Sequence, residues 1–239
     1  MIKINGNIVN CGILLNMPRL TFTTNMNCLM NAIGRFGFPT LTCEGVYWDQ
    51  CMQNGLKPFI QQHELILFVD YDTVFNHINV IDLLKSMYEV PDADAMIPIQ
   101  IARHHNLPLC FDSTIDYTKK YQRIHRGHFG LTVVRSSAIS KMPKPWFKSI
   151  PNDQGEWEEG KTDADLFFWD KMKETGNKVY TANHICLGHM DLMIKYPTGP
   201  NTVGIQTARE FSMNGIPKNV KYHYQEEVLV DNELILPTI

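Results

Sequence analysis

The hydrophobic pattern of this chain alternates between two periods. Short continuous apolar runs, closed by Gly, Pro, Asn or Asp, are separated by stretches in which apolar side chains recur every three or four positions. The first run, residues 8–15, reads as a strand that ends at Asn16-Met17-Pro18-Arg19. Met26, Leu29, Met30 and Ile33 then share one face of a predicted helix, with Gly34 near its end. Residues 38–43 form a second strand closed by Glu44-Gly45, and residues 48–60 a second helix with Pro58 near its end. Leu65-Ile66-Leu67-Phe68-Val69 is the clearest strand, apolar at every position, as a central strand covered by helices on both faces must be. A helix over 79–88 and a strand over 95–99 follow. Strands alternating with helices in this way predict an α/β layer fold with a mostly parallel sheet.

The second half is more mixed. Residues 131–134 are strand-like, 163–175 are helical up to Gly176, and 179–182 make a last short strand. From about Tyr196 the chain is rich in Gly, Pro, Asn and Thr with little periodicity. The expected organisation is therefore one domain over residues 1–195 and an irregular tail over 196–239. At 239 residues the chain is long enough to bury a substantial core, and its 44% hydrophobic and 20% charged residues are ordinary for a soluble enzyme. A net charge of −3 argues against a nucleic-acid partner. No apolar run approaches the roughly 18 to 20 residues that span a bilayer. The start, Met1-Ile2-Lys3, lacks the regions of a signal peptide. The six cysteines contain no C-x-x-C pair and sit mostly in apolar stretches, the pattern of buried free thiols in a reducing compartment. A cytoplasmic location is expected.

Candidate chemistry begins at Asp70-Tyr71-Asp72, directly after the apolar strand. Ligands of open α/β sheets bind beyond the carboxyl ends of the strands. Two carboxylates spaced i, i+2 at that edge can share one divalent cation with a diphosphate, whose departure requires its charge to be neutralised. Tyr71, between them, and Arg19, after the first strand, are candidates for contact with a phosphorylated ligand, although a lone loop arginine is usually solvated. His189, in Gly188-His189-Met190 after the last strand, can supply a third metal ligand and would favour Mn²⁺ over Mg²⁺. Taken alone, a histidine beside a glycine is more often structural. Thr162-Asp163-Ala164-Asp165 opens a helix and has two readings. A capping box would have Thr162 cap the helix and Asp165 reach back from the third position. Alternatively, Asp165 or Asp163 is a general base for a hydroxyl. Trp146 and Phe147, which resemble sugar-stacking aromatics by type, are more simply core.

In order and spacing these pieces resemble the GT-A glycosyltransferases of the family-2 type found in bacteria and phages. The matching segments are Tyr47-Trp48-Asp49-Gln50, the strand ending in Asp70-Tyr71-Asp72, His128-Phe129-Gly130-Leu131, Pro145-Trp146-Phe147, Asp163-Ala164-Asp165-Leu166 and Gly188-His189-Met190. The resemblance implies a GT-A α/β/α sandwich, a nucleotide-sugar donor (a UDP-sugar favoured), Mn²⁺ or Mg²⁺, and a hydroxyl acceptor on a glycan, protein or other molecule. It places Asp70 near the ribose and metal, Asp72 and His189 on the metal, and Asp165 as the base of an inverting reaction. The family's Glu-Asp pair falls on Ala164-Asp165, so the usual Glu is missing, and the offset Asp163 can replace it.

Two other readings compete. Asp70-Tyr71-Asp72-Thr73-Val74 also fits the opening motif of haloacid-dehalogenase-like phosphatases, with Asp70 as nucleophile, but about seventy residues precede it here and no later acidic pair follows in the expected form. A non-catalytic nucleotide- or glycan-binding module of the same fold is favoured by Ala164. A nucleotidyltransferase would need a Gly-rich loop after the first strand, where Asn16-Met17-Pro18-Arg19-Leu20 has no glycine.

Overall fold

The computed structural model describes residues 2–4, 6–17, 21–102, 107–109, 114–199 and 202–219. Arg19, one of the expected ligand contacts, lies outside the described residues. Two compact units divide between Met190 and Asp191.

The first unit opens with a small hairpin, β1 (Lys3–Ile4) and β2 (Asn7–Ile8). It is then built on an eight-stranded sheet. In chain order its strands are β3 (Cys11–Met17), β4 (Thr40–Glu44), β5 (Leu65–Asp70), β6 (Thr73–Val74), β7 (Ala95–Gln100), β8 (Tyr121–Ile124), β9 (Leu131–Arg135) and β10 (Val179–His189). Their spatial order is β4-β3-β5-β9-β7-β10-β6, with β8 also paired to β10. β4, β3 and β5 run parallel, as do β7 and β10. β9, the strand expected over 131–134, lies antiparallel between β5 and β7, so the sheet is mixed at its centre.

Helices α1 (Thr23–Cys28), α2 (Trp48–Phe59), α3 (His77–Glu89), α4 (Ser136–Lys141) and α5 (Ala164–Glu174) complete the layers. Alternate side chains of β5 explain why the strand is apolar throughout. Leu65, Leu67 and Val69 pack in one core with Leu29, Val80, Leu83 and Met87, while Ile66 and Phe68 join Met52, Leu56, Phe168 and Trp169 in the other. Each fully buried Leu, Ile or Phe of this strand contributes about 1.5–3 kcal/mol. The result is the α/β/α sandwich that the pattern predicts.

The differences from the sequence reading are local. The helix expected near Met26 to Ile33 is α-helical only to Cys28, continues as a π-helical turn over Leu29–Ile33, and tightens to a 3₁₀ turn over Gly34–Phe36. The changed winding leaves Met30 exposed instead of on the buried face. Gly37, with φ of 65°, is the left-handed residue that ends it, a conformation open to glycine because it has no Cβ. The strand expected over 179–182 extends to His189. Asn183, the polar residue that interrupts the pattern, is buried within the strand because Thr181 Oγ1 donates to its side chain and its Nδ2 donates to the Asp116 carbonyl.

In the second unit, the segment expected to be irregular holds an antiparallel hairpin, β11 (Met193–Gly199) with β12 (Thr202–Thr207), and α6 (Ala208–Asn214). Thr207 caps α6 and Glu210 reaches back to the Thr207 amide, a capping box that the Gly- and Asn-rich composition obscured.

α2 lies close against β3 and β4 because position 55 is glycine. A Cβ there would overlap the Cys43 sulfur and a Leu14 methyl. Gly55→Ala is therefore expected to destabilise the fold by about 1–3 kcal/mol through overpacking. Chemical denaturation showing unchanged stability would rule out this close approach.

Candidate functional site

β5 ends at Asp70, and the chain turns through Tyr71-Asp72 into β6, whose two residues pair with the end of β10: His189 lies opposite Thr73 and Gly188 opposite Val74. The Met190 amide donates to the Asp72 carbonyl at 2.9 Å. This pairing sets residues 117 positions apart side by side, with His189 Nε2 at 3.3 Å from Asp72 Oδ2. Asp72 is only 1% exposed.

The turn is fastened by polar groups that the hydrophobic pattern cannot show. Asn25 on α1, fully buried, donates through Nδ2 to the carbonyls of Asp70 at 3.0 Å and Thr73 at 2.7 Å, so one amide spans the whole Asp-Tyr-Asp segment. Asn16 at the end of β3 donates to Asp70 Oδ1 at 3.1 Å, and the Tyr71 amide donates to the same oxygen at 3.1 Å. Gln100 at the end of β7 donates to Thr73 Oγ1 at 3.3 Å and to the Gly188 carbonyl at 3.1 Å, tying β6 to β10. The signal for all three in the sequence is weak: an amide side chain at or near a strand or helix end. Tyr71 stacks on Phe22 with ring centroids 6.0 Å apart.

The two histidines here have opposite roles. His128 is buried; its Nε2–H donates to the Pro98 carbonyl at 2.9 Å and its Nδ1 accepts from the Gly130 amide at 3.1 Å. Burial pushes its pKa down to about 4, so it stays neutral and structural. His189 places Nδ1 at 2.9 Å from the Ile101 carbonyl, which can only accept. The ring proton is therefore on Nδ1, and the Nε2 lone pair faces a carboxylate oxygen. Two facing lone pairs require either a second proton or a cation between them. A metal-binding histidine whose other nitrogen donates to a backbone carbonyl has this same arrangement.

Asp70, Asp72 and His189 line one cavity of about 700 Å³ with Asp49, Asp163 and Asp165. That volume suits a ligand of nucleotide size. Five carboxylates and two imidazoles face it, and among its described lining residues there is no lysine or arginine. Asp70 is in the same cavity but directs a carboxylate oxygen to Asn16, and among the described residues no three His, Cys, Asp or Glu side chains are grouped closely enough to enclose a metal. The donor set fits a divalent cation held by one carboxylate and one imidazole, with oxygens of a bound ligand completing its shell.

The capping-box reading of Thr162 and Asp165 is not what the chain forms. α5 starts at Ala164 with Asp163 in the N-cap position, and no side chain caps it. Thr162 is instead paired in an isolated β-bridge with Ile150, its amide and carbonyl both bonded there. Asp165 Oδ1 accepts the Leu166 amide at 2.8 Å. Burial raises its pKa; the Leu166 amide opposes the rise and the neighbouring Asp163 charge adds to it. Asp163 is more exposed and pairs with Lys161 at 3.1 Å. Trp146 and Phe147 are buried in an aromatic core with Phe68, Phe129, Phe168 and Trp169, as the simpler reading held. Of the five described cysteines, all free thiols, Cys11, Cys43 and Cys51 are buried and Cys186 is exposed.

The sheet order, the antiparallel strand at its centre and the acidic cavity at the strand ends define a GT-A-like α/β fold. No family model and no curated protein matches the sequence. Among solved structures, A197 from STIV superposes with a TM-score of 0.55 at 13% identity, over 89% of this chain and 100% of that one. GalNAc-T7, solved with UDP, GalNAc and Mn²⁺, superposes with a TM-score of 0.52 at 9% identity, over 77% of this chain and 44% of that one. At these identities the likeness is one of fold. Among the described residues, no helix is long and apolar enough to cross a membrane.

Two outcomes follow from this geometry. Asn25→Ala removes the side chain that bridges two carbonyls of the turn, so the variant should lose about 1–3 kcal/mol in chemical denaturation; an unchanged midpoint would mean that the bridge is not formed. Asp165 holds its proton more tightly in the folded chain than in the unfolded one. Its contribution to stability is therefore complete below the unfolded value of about 4 and is lost as pH rises through the raised folded value. Asp165→Asn lacks this loss, so its Tm should gain on wild type as pH rises above about 4. A Tm difference that stays constant as pH rises would show that the carboxyl is not perturbed.

Proposed function

We propose that this chain is a metal-dependent glycosyltransferase that moves a sugar from a nucleoside-diphosphate donor, a UDP-sugar in the favoured case, to an acceptor hydroxyl. The observation that carries the reading is the contact of Asp72 with His189 Nε2, which needs a proton or a cation between the two groups, inside a cavity lined by five carboxylates. Such a cavity repels a diphosphate unless a divalent cation stands between them. Asp72 and His189 would hold that cation, Mn²⁺ in preference to Mg²⁺ because of the imidazole, with Asp70 on the donor side. When bound, it neutralises the charge of the departing diphosphate. The GT-A-like fold and the Mn²⁺ and UDP bound to GalNAc-T7 support the assignment.

The chain's own groups then have separate tasks. Asn25, Asn16 and Gln100 keep the Asp70–Thr73 turn and the end of β10 in register, so that donor binding needs no rearrangement of the turn. Asp165 is the general base: it is fixed at the start of α5, where one of its oxygens accepts the Leu166 amide, and its raised pKa makes it a better proton acceptor than an exposed aspartate. It takes the acceptor hydroxyl proton as the oxygen attacks the sugar carbon and the carbon–oxygen bond to the diphosphate breaks, which inverts that carbon. Asp163 acts on Asp165 through its charge.

Calorimetry should show that UDP binding requires a divalent cation, Mn²⁺ serving at least as well as Mg²⁺; equal affinity in excess chelator would end the metal reading. His189→Ala should weaken metal-dependent UDP binding with little change in Tm. With a donor and acceptor that turn over, Asp165→Asn should lower kcat by roughly 10²–10⁴-fold and leave donor affinity intact. Asp163→Asn should retain turnover and move the acid limb of the rate profile to lower pH. Nucleotide binding without transfer from any donor would favour the non-catalytic module.

A further inference from the structure

The second unit carries an apolar surface that its described residues leave open. The register of β11 with β12 sets Lys195 opposite Ile205 and Met193 opposite Thr207, so Met193, Val203 and Ile205 share one face of the hairpin. Val203 and Ile205 are both 60% exposed, and Met193 is 50% exposed. Phe211 and Met213 on α6 and Ile216 just beyond it are exposed as well. Among the described residues this sheet has two strands, so β12 keeps one edge whose backbone groups pair with no further strand. A two-stranded hairpin is marginal in water by itself and is stabilised by a third strand or by a cover on its apolar face.

A buried polar atom at the same place calls for a hydrogen-bond donor. A cavity of about 390 Å³ opens beside β12, lined by Ile205 and Gln206, by Glu210 and Asn214 of α6, and by Ile216 and Lys218. Gln206 is only 5% exposed. Its Nε2 donates to the Gly215 carbonyl at 2.9 Å, whereas its Oε1 is buried with no hydrogen-bond partner. A buried carbonyl oxygen without a donor costs about 1–3 kcal/mol. A backbone amide entering this cavity removes that cost.

Length, patterning and charge single out one occupant, the stretch of chain that follows. Residues 220–239 lie outside the described residues and begin directly after Asn219. They hold two apolar runs, Val228-Leu229-Val230 and Leu234-Ile235-Leu236, of the aliphatic and β-branched types that suit a sheet edge. From Asn219 to Val228 the chain can extend up to about 30 Å, more than the roughly 20 Å length of a strand of six residues such as β12. Glu226, Glu227, Asp231 and Glu233 flank the runs, with Lys221 the one basic residue of the stretch. Lys195, Arg209 and Lys218 of the second unit are exposed, and Lys195 stands on the apolar face itself. An acidic segment with apolar runs complements that face in both respects.

We propose that residues 228–236 dock along β12 of their own chain, covering Val203 and Ile205 and giving Gln206 Oε1 a backbone amide. The inference concerns the second unit alone and stands apart from the glycosyltransferase reading. Hydrogen exchange of the full chain, read by mass spectrometry, tests it. Amides of 228–236 should exchange roughly tenfold or more slowly than in a synthetic peptide of residues 220–239. Val203→Asp with Ile205→Asp puts charge on the exposed face and should bring 228–236 to the rate of the peptide. Because that pair can also disturb the hairpin, Leu229→Asp with Ile235→Asp makes the test from the other side. There, 228–236 should lose protection and the amides of β12 should exchange faster. Peptide-like exchange at 228–236 in the wild-type chain, or protection that either pair of substitutions leaves intact, would overturn the docking. Protection that grows with protein concentration, with a dimer seen by light scattering, would overturn it too, since a second copy would then be the cover.

Discussion

Two acceptors of protons, the Asp72 carboxylate and His189 Nε2, are held 3.3 Å apart by backbone pairing between β6 and β10, while the Ile101 carbonyl keeps the ring proton on the far nitrogen. That contact is favourable once a proton or a cation lies between the two groups. Most of the surrounding polar structure preserves it. Asn25 spans the turn from α1, Gln100 ties Thr73 to Gly188, and His128 is kept neutral by burial so that it adds no competing charge.

The same low-dielectric surroundings divide the carboxylates into kinds. Asp72 is buried against an imidazole, Asp165 is partly buried and holds its proton more tightly than usual, and Asp163 is exposed and paired with Lys161. Residues of one type thus acquire different surroundings from position alone. In the proposed reaction this is the difference between a metal ligand, a base and a neighbour that adjusts the base.

Much of the layer architecture was legible in the chain. A strand apolar at all five of its positions 65–69 can only be buried on both faces, and carboxylates at its carboxyl end then stand at the ligand-binding edge of an α/β sheet. The antiparallel insertion of β9 was not legible, because a buried strand carries the same residues in either direction. The π-helical turn after α1 was hidden too, since a helical period predicts the ordinary winding and leaves Met30 on the wrong face.

The sequence by itself determined which residue types were available at the site: Asp70, Asp72, Asp163, Asp165 and His189, each marked by its place at the end of a strand or the start of a helix. Tertiary structure alone decided which of them meet. Asp72 and His189 are 117 positions apart, and their contact exists because β10 runs on past Asn183 to pair with β6, which requires a buried polar residue satisfied by partners distant in the chain. Whether Thr162 capped a helix or joined a strand bridge was likewise settled by Ile150, a neighbour in space and not in sequence. Local pattern records what each segment can bury, whereas hydrogen-bond satisfaction across elements depends on partners that no local window contains.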